Sequence, residues 1–189
     1  GTDELMVAAA QTAAGTVGVS GCETLRLVGD IDQDMALLSS NSWTTIGIDG
    51  DGNFSNVPSA VTTLNLYDGF NADTDVALAV DGTADSMAVV MKEAVTATDL
   101  DIDEAETITI DSEFALTLTT QLSGTDLTSL TVSGDSAVDL SGIAAAALAT
   151  IDASGLTAAA GFTNSSSTSA VAMTVTGNTA ATGYTGALS

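Results

Sequence analysis

Along this chain an apolar–polar–apolar triplet returns about every 21 residues. The apolar pairs are Leu5/Val7, Leu25/Leu27, Ile46/Ile48, Leu64/Leu66, Met87/Val89, Ile108/Ile110, Leu130/Val132, Ile151/Ala153 and Met173/Val175. Their successive spacings are 20, 21, 18, 23, 21, 22, 21 and 22 residues. An alternation of period two describes a strand with one buried face. In two copies a second alternating run follows about eight residues on, at Leu116/Leu118 and Val138/Leu140. Gly, Asp and Ser punctuate the runs, as turns require.

A strand, a turn, a second strand and a return within about 21 residues make one coil of a repeat stack. The pattern predicts an all-β parallel β-solenoid of eight to nine coils, roughly 40 Å long at about 4.8 Å per coil. Leu, Ile, Val and Met form inward ladders. Thr107, Thr109, Thr117, Thr119, Thr131, Thr174 and Thr176 form outward ones. The rival is a β-sandwich of tandem hairpins. The near-constant repeat, the scarcity of aromatics and the lack of Asn-Gly turns favour the solenoid.

Some segments interrupt the rhythm. Residues 94–106, "AVTATDLDIDEAE", read as an acidic surface excursion. Residues 35–43, "MALLSSNSW", read as a short helix or a widened coil. The Ala run in residues 142–150 predicts one helical turn at a corner. Residues 163–169 read as a polar loop, and Pro58 as the residue before a strand. No linker divides the chain, so residues 1–189 are expected to form one elongated domain. The start at Gly1-Thr2-Asp3-Glu4 reads as a segment of a larger protein.

Composition supports a thin stack. Ala, Thr, Ser and Gly make up about half the chain, and aromatics only 4%. Small and β-branched side chains suit closely spaced strands. No stretch has the roughly 18 apolar residues of a membrane-spanning helix, so no transmembrane segment is expected. Cys22 has no partner for an intrachain disulfide and reads as a small buried residue.

Charge changes the picture most. There are 25 acidic residues and two basic ones, Arg26 and Lys92, for a net charge of −23. Phosphate contacts need Lys and Arg, so nucleic acid is not an expected partner. The acidity has two readings: solubility or adaptation to salt, and bound cations that complete the structure. Three clusters have the ligand character of Ca²⁺ sites, with oxygens at alternate positions. They are Asp30, Asp32 and Asp34; Asp49, Asp51 and Asn53; and Asp99, Asp101 and Asp103. Neither of the first two is an EF-hand, since Asn41 and Ala60 stand where the bidentate Glu belongs. In the third, Leu100 and Ile102 interleave as a core face, so its aspartates are expected to face water.

Catalysis is not expected. Without His the usual base is missing, and two basic residues leave little for anionic chemistry. Ice binding by Thr ladders is disfavoured, because the outward residue between the core pairs varies from Arg26 to Gly47, Asn65, Ala88 and Asp152.

The phrases "SLTVSGDSAVDLSG" (129–142) and "ATIDASGLTAAAG" (149–161) resemble the Thr/Ala/Gly-rich segments of bacterial surface-layer proteins and related large adhesins exported by type I secretion. The resemblance runs from about Cys22 to Gly177. It implies an extracellular or cell-surface location, Ca²⁺ for folding and assembly, and self-association into a homo-oligomeric lattice or filament. The glycine-rich nonapeptide calcium repeat of RTX proteins is missing; "GDGN" at 50–53 is its nearest approach. The expectation is a structural protein that self-assembles with Ca²⁺. The alternative is an adhesin or stalk module that binds a surface ligand such as a cell-surface glycan.

Overall fold

The structure is a computed structural model that describes residues 3–12, 19–157 and 161–177. The strands follow in chain order. They begin with β1 (Glu4–Val7), β2 (Thr24–Val28), β3 (Ile31–Asp34), β4 (Thr45–Asp49), β5 (Gly52–Val57) and β6 (Thr63–Leu66). Next come β7 (Asp73–Leu78), β8 (Ser86–Met91), β9 (Val95–Asp103), β10 (Thr107–Ser112), β11 (Leu116–Ser123) and β12 (Ser129–Gly134). The last are β13 (Val138–Leu140), β14 (Ile143–Ala144), β15 (Thr150–Leu156), β16 (Phe162–Asn164) and β17 (Thr174–Thr176).

They form two sheets. One has nine strands in the order β1-β2-β4-β6-β8-β10-β12-β15-β17. The other has eight, with β16-β13-β11-β9-β7-β5-β3 in a row and β14 beside β11. Every strand pairing among the described residues is parallel. The chain alternates between the sheets, which makes a β-solenoid of about eight turns with about 21 residues per coil. A sandwich of hairpins would need antiparallel neighbours.

The core runs unbroken along the stack. In the nine-stranded sheet one ladder is Leu25, Ile46, Leu64, Val89, Ile110 and Val132. Each is at most 1% exposed, so the apolar pairs do face inward. The second runs found in the sequence are strands of the other sheet, where Leu116 and Leu118 sit beside Val138 and Leu140. Leu5 pairs with Leu25 and Val7 with Leu27, so the N-terminal copy adds a strand to the nine-stranded sheet.

Two registers differ from the spacing. Leu64 and Leu66 lie opposite Val89 and Met91, not Met87 and Val89. Ile151 lies opposite Val175, not Met173. A slip of two residues preserves which side chains face inward, so alternation does not expose it.

The interruptions also resolve. Residues 94–106 are not an excursion: β9 occupies most of them, and Leu100 and Ile102 are fully buried. The Ala run forms no helical turn. Ile143 and Ala144 pair with β11, and the Leu148 N–H donates to the Ala145 carbonyl to close a tight turn. Pairing with an existing sheet outweighs alanine's helix propensity there. Met35–Leu38 is a short 3₁₀ helix, capped by Asp34 Oδ1 accepting from Ala36 N at 2.9 Å. Residues 163–169 are only partly loop, because Thr163 and Asn164 belong to β16 and Ser167 bridges to Ile143. Pro58 follows β5 directly rather than preceding a strand, and its carbonyl accepts from Val61 N. Cys22 is half-buried against the core rather than fully inside.

Candidate metal centre

The structure regroups the acidic residues. Asp49 ends β4 in the nine-stranded sheet, and its carboxylate pairs with the Arg26 guanidinium. Arg26 also lies 3.7 Å from Glu4 and 3.6 Å from the centre of the Tyr67 ring. Asp51 lies in the next turn, where Oδ1 accepts from Asn71 N at 2.6 Å. Asn53 is on β5 in the other sheet. The three ligands of "DGDGN" therefore serve different purposes and do not form one loop site. Asp30 precedes β3 and is exposed, while Asp32 and Asp34 lie on that strand.

Parallel stacking gathers carboxylates from different coils instead. Asp32 pairs in register with Asn53, Asp75 with Asp101, and Asp101 with Ser123. Asn53 ties the row together: its Nδ2 donates to Asp32 Oδ1 at 2.7 Å, and its Oδ1 accepts from Asp75 N at 2.8 Å. A neighbouring row holds Asp73, Asp99 and Gln121. Asp103 lies beside Ala77. A groove of about 490 Å³ opens over this face, lined by Asp32, Asp34, Asn53, Asp75, Asp101 and Asp103. With Leu100 and Ile102 inward, Asp99, Asp101 and Asp103 do face outward, yet Asp99 is only 9% exposed.

Crowding shifts their protonation. Burial pushes the Asp101 carboxyl up to about 6, assisted by Asp103, Asp75 and Asp99 and opposed by a hydrogen bond with Ser123. Burial also raises Asp75, with Asp73, Asp103 and Asp32 adding to it. Asp99 is raised chiefly by burial and then by Asp73 and Asp75, while Gln121 and the Leu100 N–H partly offset this. Like charges at strand spacing repel strongly when half-buried.

Two groups were not singled out by local reading. Asp73 and Asp75 carry the same alternating signal, in "NADTDVAL", and complete the face. At a corner, carboxylate oxygens of Asp81, Glu104 and Asp126 lie within 4.8 Å of one another. They are spaced by 23 and 22 residues, so one acid per coil was the available signal. Glu104 there has a positive φ of 67°.

The donor sets are all oxygen, which suits hard divalent cations rather than the softer metals. No protein-family model, curated protein or solved structure matches the chain. Among the described residues no helix is long and apolar enough to cross a membrane.

Proposed function

We propose that the chain is a scaffold module of an extracellular bacterial surface protein, self-associating into a layer or filament with Ca²⁺. The observation that carries this reading is the combination of an unbroken parallel stack with a carboxylate-lined sheet face. A solenoid supplies long, repetitive lateral surfaces, and repetition is what lattice contacts use. A net charge of −23 opposes close approach of two copies, so a divalent counter-ion that bridges or screens carboxylates promotes assembly. The module acts by shape and charge rather than by catalysis.

The test is assembly of the purified chain, followed by light scattering and electron microscopy. Ordered sheets or filaments are expected with Ca²⁺ and not with NaCl of equal ionic strength. A chain that stays monomeric in both overturns the reading. If that monomer binds a cell-surface glycan, the adhesin or stalk alternative takes its place.

A further inference from the structure

We infer that the outer face between β7 and β9 is a built calcium site, ligated by Asp73, Asp75, Asp99 and Asp101. The inference rests on the choice of ion proposed above, but it does not require assembly.

The argument begins with register. Asp73 lies beside Asp99, and Asp75 beside Asp101, on adjacent parallel strands. The inward residues Thr74 and Leu100 between them are both fully buried, so all four carboxylates share the outer face. Neighbouring strands stand about 4.8 Å apart, and alternate residues about 6.6 Å apart along a strand. The four side chains thus form a small rectangular array that contains no cationic partner. The ion pairs among the described residues join Arg26 to Glu4 and Asp49, in the other sheet.

The second observation is one buried oxygen without a donor on each of Asp99 and Asp101, whose side chains otherwise meet Gln121 and Ser123. Asp99 is 9% exposed, and its Oδ1 is buried with no hydrogen-bond donor. Asp101 Oδ1 is in the same condition. Carboxylate oxygens removed from water normally recover donors or a counter-ion. An arrangement that gathers acids and leaves two oxygens unsatisfied is complete only with a bound cation.

The chemistry selects calcium. Ca²⁺ takes six to eight oxygens in irregular geometry, whereas Mg²⁺ requires a near-ideal octahedron and holds its waters. Four carboxylates on two twisted strands supply many oxygens without octahedral regularity. The groove over Asp75 and Asp101 admits the ion and its remaining waters. The corner triad of Asp81, Glu104 and Asp126 draws its oxygens closer together, but Asp81 is exposed and none of the three is buried. No oxygen of that triad is buried without a hydrogen-bond partner.

The experiment is calorimetric titration of the chelator-stripped full chain with CaCl₂, beside thermal unfolding with and without the ion. Wild type is expected to bind Ca²⁺ saturably, and Ca²⁺ is expected to raise its unfolding temperature more than Mg²⁺ does. In D99N/D101N that binding is expected to weaken by at least about tenfold. D81N/D126N is expected to retain it. Should D99N/D101N fail to fold, D73N/D75N changes two exposed ligands and is expected to weaken the same binding. Unchanged affinity and stoichiometry in the ligand variants overturn the site, as does purely unsaturable screening in wild type. Saturable binding without ordered assembly leaves the site standing and removes the scaffold reading. Ca²⁺-driven assembly by variants with unaltered binding does the reverse.

Discussion

Gly134 ends β12 with a φ of 117°, a conformation that L-residues avoid. A Cβ there would lie 2.7 Å from the backbone of Ser112, one coil below. Ser112 is itself fixed, since its hydroxyl donates to the carbonyls of Ser133 and Ser136. The corner has room for a hydrogen atom and nothing larger. Gly134→Ala is expected to cost about 2 kcal/mol or more, read as a lowered urea midpoint with unchanged slope. Asp101 makes a second residue-scale prediction. Its carboxyl rises from 3.8 to about 6 on folding, so the folded chain holds that proton more tightly. Stability from this group is therefore greatest below about pH 4 and falls as pH rises towards 6. Without divalent cations, D101N is expected to unfold at a higher temperature than wild type above about pH 6. The advantage should shrink as pH falls to about 4, which unfolding scans across that window would check. Because Asp101 is only half-buried, solvent screening keeps the effect below what the full shift implies.

At the scale of the element, strand character was legible because alternation is a local property. Leu130 is fully buried and Thr131 partly exposed, as the period of two requires. Leu130→Ala is expected to cost about 2–5 kcal/mol, while Thr131→Ala costs about 1 kcal/mol or less. Equal effects in chemical denaturation would contradict the inward and outward assignment. Registers were less legible. Met87, Val89 and Met91 all alternate correctly, so only packing against Leu64 and Leu66 selects Val89 and Met91 as their partners. Residues 94–106 misled for a related reason. Three aspartates made them look like solvent loop, yet Leu100 and Ile102 anchor the strand and the aspartates take the outer face. The Ala run failed in the other direction, where tertiary pairing overrode a local preference.

For the whole molecule, the period determines the architecture, and the charge bears on the proposed assembly. With 25 acidic and two basic residues, two copies repel each other unless counter-ions neutralise them, which is why the assembly test turns on the divalent ion. Of the four carboxylates in the inferred calcium site, Asp99 and Asp101 stood out by local spacing, whereas Asp73 and Asp75 were not singled out. The grouping was not legible. The alternate spacing of "DGDGN" pointed to one shared site, yet Asp49 serves Arg26 in one sheet and Asn53 serves Asp32 and Asp75 in the other. By itself the sequence determined the repeat, the inward residues and the surplus of carboxylates, because each is local or compositional. Only the tertiary structure decided which carboxylates meet. In a parallel stack a residue's neighbours belong to adjacent coils, and its burial depends on where those coils align.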